Sequence, residues 1–253
     1  MGAMIEDNLN AYLLSYAAIP GAVARQNDRI AWVDSGFASS SLNSVVLARF
    51  TPEDADTEIE SVLSRFREHA RPLTWHIGPS SEPADLGARL IAHGMSHAED
   101  EPGMAIALRV AQVDFDPLVG LVVETVRTER QLAEWVDVWL FPVPADLRAL
   151  HFEALRRRGL GDDLPWQFYL GRVDGEPTAT VELFMDQGVA GVHYVVTLPR
   201  FRRRGIGAAM TMHALHEARA RGCEVAVLSA SPDGIGIYRR LGFGEYCLIR
   251  RYE

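Results

Sequence analysis

The chain contains no lysine; all 25 of its basic side chains are arginine. It has two cysteines, Cys223 and Cys247, too few for a disulfide scaffold or a zinc site. No uninterrupted apolar run approaches the roughly 20 residues that span a bilayer. The first ten residues lack the basic head and apolar stretch of a secretory signal, so a reducing, cytoplasmic setting is expected. A basic surplus is absent too. The formal net charge is −9 at pH 7, which argues against a general nucleic-acid binder. What the chain does have is apolar material. It is 48% hydrophobic and 23% charged over 253 residues, enough for one large packed domain or two small ones.

The charge is unevenly spread. Residues 1–110 hold eight arginines against fifteen acidic residues, whereas residues 189–253 hold ten arginines against five. A basic C-terminal stretch on an acidic chain points to a local anionic ligand.

Propensity and punctuation divide the chain into alternating elements. Residues 8–18 read as a helix, 28–34 as a short strand and 42–50 as an apolar, β-branched strand. Thr51 then looks like an N-cap, with Pro52 at the first helical position and a helix to about residue 70. A strand at 73–77, a helix at 82–93 closed by Gly94 and a strand at 104–110 complete the first half. Residues 111–120 carry Asp, Pro and Gly without helical periodicity and read as a linker, giving domains at 1–110 and 121–253. The second half reads as a strand at 121–126, helices from Thr128 to about residue 139 and over Ala145–Arg158, then strands at 167–173, 178–185 and Val189–Thr197. Asp174-Gly175 and Gln187-Gly188 mark hairpin turns. A helix at 203–221, a strand at 224–230, a helix at 232–241 and a closing strand over Gly244–Tyr252 follow. Both halves share a strand–helix–strand–helix–strand order, which we read as a divergent duplication of a mixed α/β unit.

The chemistry concentrates at 195–208, which reads Val-Val-Thr-Leu-Pro-Arg-Phe-Arg-Arg-Arg-Gly-Ile-Gly-Ala. A strand ends, proline turns the chain, and a glycine-rich loop opens a helix. Free N–H groups and the helix dipole at such a start suit a pyrophosphate. Gly205 and Gly207 let phosphates approach the backbone, and Arg202, Arg203 and Arg204 add positive charge. A P-loop is excluded because no Gly-Lys-Ser/Thr follows. The dinucleotide fingerprint is excluded because its third glycine slot is Met210.

Arg202, Gly205 and Gly207 match the Arg/Gln-x-x-Gly-x-Gly/Ala loop of the GNAT superfamily of N-acetyltransferases in register, and Tyr238, Gly242 and Phe243 match its Tyr-x-x-x-Gly-Phe signature. The chain resembles that superfamily over about residues 121–253, densely from Val189 on. The N-terminal half resembles a degenerate copy, as in tandem GNAT proteins. The resemblance implies two GNAT-like domains, each a mixed β-sheet flanked by helices, and an acetyl-CoA co-substrate without a metal. It further implies that Val195, Val196 and Thr197 hydrogen-bond the pantetheine arm, with an N–H at Val195 or Val196 polarising the thioester carbonyl. The amides of Arg203, Arg204, Gly205, Ile206, Gly207 and Ala208 would hold the pyrophosphate. Tyr238 would protonate the leaving thiolate. Ser231, in the segment where the family often has Asn, is the residue available for a cofactor contact there.

The family's usual glutamate on the strand before the loop falls on Gly191. Two substitutes as general base are His193, two residues on and on the same face, and Glu182 on the neighbouring strand. Glu182 is weighed equally as a residue of a solvated strand face. In the N-terminal half the corresponding loop, Thr51 to Asp56, has no glycine and three acids, which would repel a pyrophosphate. The expectation is an acetyl-CoA-dependent transferase acting on a primary amine, in a small molecule or a peptide, by direct attack in a ternary complex. A tandem acetyltransferase of thiol-biosynthetic or aminoglycoside type is the narrower version. A non-catalytic acyl-CoA-binding module is the competing class. Arg156, Arg157 and Arg158 read as a solvated helix end or as the lining of an acceptor entrance.

Overall fold

The structure is a computed structural model and describes residues 1–109 and 118–253. It divides into two units, Met1–Gly103 with Glu245–Glu253, and Met104–Gly244. The expected linker at 111–120 lies, up to residue 117, outside the described residues.

The first unit begins with α1 (Gly2–Leu14), β1 (Val23–Gln26), β2 (Ala31–Asp34) and β3 (Ser44–Val46). It continues through α2 (Ala55–Glu68), β4 (Thr74–Ile77), α3 (Leu86–Ala92) and the opening residues of β5 (His97–Ala107). Its sheet runs β1-β2-β3-β4, then β11 (Gly244–Tyr252), then β5. Only β3 and β4 are parallel among the pairs from β1 to β11. Ile59, Val62, Leu63 and Phe66 of α2, spaced at one helical face, are buried against Trp75 and Ile77 of β4.

Two sequence expectations are corrected here. The strand expected over 42–50 stops at Val46, because Leu47 turns the chain at φ +53°. The N-cap of α2 is Asp54, not Thr51; the Asp54 carboxylate accepts from the Thr51 N–H at 2.9 Å and also pairs with Arg29. The helix therefore starts one turn later than the Thr-Pro pattern indicates.

The second unit carries β6 (Leu121–Thr125), α4 (Glu129–Trp139), α5 (Ala145–Arg158), β7 (Trp166–Val173), β8 (Glu176–Asp186) and β9 (Val189–Thr197). After these come α6 (Ile206–Ala220), β10 (Val225–Ser229) and α7 (Ile235–Arg240). Its strand order is β5-β10-β9-β8-β7-β6. The hairpin turns at Asp174-Gly175 and Gln187-Gly188 have positive φ at both residues, as two-residue hairpins require. Thr128 caps α4 in a reciprocal box with Gln131, worth about 1 kcal/mol. Val181, Leu183 and Val192 point to the face that buries Met210 and Ala214 of α6. The alternate residues, Phe168 and Glu182, face α4 and α5.

Each unit contains a strand from a distant part of the chain. The closing strand, expected at the end of the C-terminal half, joins the first unit through the antiparallel pairs Arg250↔Ile77, Arg251↔His76 and Tyr252↔Trp75. Met104, Ile106 and Leu108, from the first half of the sequence, are buried in the core of the second unit. Such exchange is invisible to local propensity, because pairing partners are chosen by tertiary packing.

Candidate functional site

The geometry starts at β9. Its parallel ladder with β10 covers Val189↔Val225, Ala190↔Ala226 and Gly191↔Val227 and ends there. On the other side β9 stays paired with β8 as far as Thr197. From Val192 to Thr197 one edge of the strand is thus parted from β10. The register with β8 steps from Glu182↔His193 to Thr180↔Val196, so β9 carries one extra residue, a β-bulge. Tyr194 occupies it with φ +50°, and the Thr180 hydroxyl donates to its carbonyl at 2.9 Å. The bulge interrupts the alternation. Tyr194 lies with His193 on the α4 face, while Val195 packs on the α6 core.

The loop after β9 comes next. Arg203 and Gly205 both take the left-handed conformation, at φ +63° and +81°, and Gly205 is the N-cap of α6. Helix geometry leaves the first N–H groups of α6 without intrahelical partners. Arg202, Arg203, Arg204 and Gly205 are exposed, Ile206 is buried, and Gly207 and Ala208 are half-buried. The Arg202 Nε–H donates to the Thr197 carbonyl at 3.0 Å, tying the loop to the strand end. Arg204 lies over the Phe201 ring, 5.4 Å from its centroid.

Gly207 joins the parts. A Cβ placed there would stand 3.6 Å from Thr197 Oγ1 and 3.8 Å from Ile237 Cδ1. The end of β9, the start of α6 and the helix carrying Tyr238 therefore meet around one residue without a side chain. Tyr238 is half-buried, edge-on to Phe243 at 5.9 Å between ring centroids. Burial pushes its phenol up to about 12. Gly234 makes room for the ring: a Cβ there would fall 2.8 Å from Tyr238 Cε2 and 3.3 Å from Ser231 Oγ. Ser231 is exposed beside it. The glycine at 234 and the bulge at Tyr194 are the two features that motif reading missed. An aromatic residue in the left-handed region has no sequence signature, and Gly234 lies outside the Tyr-x-x-x-Gly-Phe match.

The two candidate bases are placed differently from expectation. Glu182 is not on a solvated face. It is fully buried and accepts from the Arg158 guanidinium at 2.8 Å, both side chains being inaccessible to solvent. His193 is its direct cross-strand partner. Burial, with the Arg158 charge adding to it, pushes the imidazole down to about 3, well below the range that suits a base at neutral pH. Arg158, which closes α5, is neither solvated nor at an entrance; its guanidinium lies 4.1 Å from the Trp166 ring centroid. Arg156 and Arg157 both chelate Glu153 at the surface, at 2.7 Å, and hold its carboxyl down at about 2.

The first unit treats the same place differently. Beyond Ser44↔Thr74 and Val45↔Trp75, the Glu82 N–H donates to the Ala48 carbonyl at 2.8 Å and the Phe50 N–H to the Glu82 carbonyl at 3.1 Å. The segment after β4 runs parallel beside the segment after β3, so backbone pairing resumes where β9 and β10 stay parted. Among the described residues no cluster of His, Cys, Asp and Glu has the makings of a metal site, and no helix is long and apolar enough to cross a membrane.

Residues 130–243 match the model of the acetyltransferase (GNAT) family. That match lies within the second unit, and it is this segment that is similar to the GNAT family. A GCN5-related N-acetyltransferase from Kribbella flavida shares its fold at a TM-score of 0.76, with 21% identity over 100% of this chain and 95% of that one. A functionally unknown conserved protein from Staphylococcus epidermidis follows at 0.69 and 12%, covering 90% and 91%. A tandem GNAT protein from the clavulanic acid biosynthesis pathway aligns at 0.62 and 14%, covering 96% and 86%. At these identities the likeness is one of fold. No curated protein matches the chain. The likeness in fold extends over both units, while the family match lies in the second.

Proposed function

We propose that the second unit transfers an acetyl group from acetyl-CoA to a primary amine in a ternary complex. The observation that carries this reading is the meeting of β9, α6 and α7 at Gly207, beside the edge of β9 that β10 leaves. The residues fit a CoA thioester. The amides of Arg203 to Ala208 cradle the diphosphate, and the arginines of that loop screen its charge. The edge of Val195, Val196 and Thr197 pairs with the amides of the pantetheine arm as an added strand would. A backbone N–H at Val195 or Val196 donates to the thioester oxygen as it gains charge. The amine lone pair attacks the carbonyl carbon and the C–S electrons leave on sulfur. The Tyr238 hydroxyl supplies the proton that converts thiolate to thiol. Its elevated pKa keeps that proton in place until sulfur needs it. Ser231 lies close enough to Tyr238 to share in this corner of the site.

Glu182, occupied by Arg158, and His193, held neutral, shape the acceptor side rather than accept the amine proton. The acceptor therefore enters as the free amine, and the proton released from nitrogen leaves through water. The first unit binds no second acyl-CoA, since backbone pairing resumes beyond β3 and β4 and its helix start is acidic.

The test is release of free CoA thiol with a panel of primary amines. Turnover that Tyr238→Phe cuts by about 10²-fold or more, with acetyl-CoA affinity unchanged, supports the reading. Acetyl-CoA binding without turnover of any amine would leave only a binding module.

A further inference from the structure

We propose that the acceptor is a monoamine carried on a flat aromatic or comparable apolar body, recognised by Trp139, Tyr194 and Phe141, and not a polyamine or an aminoglycoside. This rests on the acetyl-transfer reading and names the acceptor class for that same site. The bulge of β9 turns Tyr194, within the parted edge, away from the α6 core and lays its ring against Trp139 at 4.2 Å between centroids. Trp139 in turn meets His151 edge-on at 5.3 Å. The His151 Nδ1–H donates to the Leu147 carbonyl at 2.7 Å, which brings the first turn of α5 into the same wall. Trp139 and Tyr194 are half-buried; Phe141, two residues beyond Trp139, and Leu147, one turn before His151, are 52% and 40% exposed. A half-buried aromatic pair next to the strand edge that would receive the thioester is a surface a flat apolar group can stack on. Holding a tyrosine in the left-handed region costs backbone strain, which tends to persist at functional positions.

Charge points the same way. A polycation would need free carboxylates, and the acids on α4 and α5 are mostly occupied. Arg156 reaches Glu129 at 3.6 Å, Arg172 pairs with Glu134, Arg148 holds Asp137 at 3.1 Å, and Glu153 is chelated by two arginines. Behind the wall, Glu182 is neutralised by Arg158 and His193 stays uncharged. Among the described residues, Asp146 is the one acid of these helices without an arginine partner.

The experiment is calorimetric titration of amines into the full chain saturated with CoA, after the CoA isotherm itself has been recorded. The amines are 2-phenylethylamine, n-butylamine and 1,4-diaminobutane. Burial of a phenyl group predicts that 2-phenylethylamine binds at least about tenfold tighter than either of the others. Phe141→Ser, at an exposed position, and Tyr194→Gly, which also relieves the backbone, each reduce that preference towards unity without changing the CoA isotherm. The proposal is overturned if the diamine binds as tightly as 2-phenylethylamine. It is equally overturned if 2-phenylethylamine gives no saturable heat, or if both variants keep the wild-type preference. Absence of a CoA isotherm is a different failure, that of the acetyl-transfer reading.

Discussion

Glu182 and His193 stand opposite one another on β8 and β9, and the guanidinium of Arg158 acts on both. It neutralises the carboxylate and opposes protonation of the imidazole. Two residues that the strand pattern offers as bases are thereby an ion-paired carboxylate and a neutral imidazole. Removing the cation alone leaves a buried carboxylate unpaired. Arg158→Met is expected to destabilise the protein by about 3–5 kcal/mol, read from the denaturant midpoint. Arg158→Met with Glu182→Met is expected to recover most of that loss; a double variant no better than the single one would show that the guanidinium acts by packing alone.

Histidine protonation sets a pH dependence. His76 in the first unit and His193 in the second are both pushed down to about 3 by burial with an arginine charge nearby, and burial also lowers His151 and His213. For His76 and His193 the unfolded chain takes up the proton near pH 6.5 and the folded chain only near 3. Unfolding therefore binds protons in that window, and stability falls as pH drops from about 6.5 towards 3. The slope is up to about 1.4 kcal/mol per pH unit for each of His76 and His193. His193→Gln is expected to flatten the curve between pH 6.5 and 4. An unchanged slope would mean that this imidazole titrates normally.

Gly234 gives a sharper probe of Tyr238 than truncation does. Its backbone lies at φ −88° and ψ −30°, which alanine adopts freely, so Gly234→Ala acts chiefly through the collision with the Tyr238 ring, with a lesser one at Ser231 Oγ. We expect kcat to fall about tenfold with acetyl-CoA affinity retained. Unaltered turnover would indicate that the ring position does not matter.

How much of this was legible in the sequence varied with the range of the interaction. Ala145–Arg158, Val189–Thr197 and the two hairpin turns were readable because periodicity and turn chemistry are local. The loop from Arg202 to Ala208 and Tyr238 were readable because their spacing matched a family pattern. Three features were hidden because each depends on a partner far along the chain. Glu182 is buried by an arginine 24 positions earlier, Tyr194 is held out of alternation by Thr180, and β11 pairs with β4.

That last pairing makes a prediction about truncation. Deleting residues 245–253 removes the neighbour of β4, and with it Tyr252 from the core around Trp75. Proteolysis of the truncated chain is expected to cut first in the N-terminal unit, although the deletion is C-terminal. Preferential cutting between residues 118 and 244 would contradict the strand exchange.

The central claim is that the amides opening α6 grip the diphosphate of one CoA thioester per chain. Calorimetric titration with acetyl-CoA tests it most directly, using the wild-type chain and Gly205→Val, which forces a β-branched residue into the left-handed region at φ +81°. The account predicts a stoichiometry of one and a loss of affinity of about tenfold or more in the variant. Two sites per chain, no heat, or an affinity indifferent to Gly205→Val would contradict it.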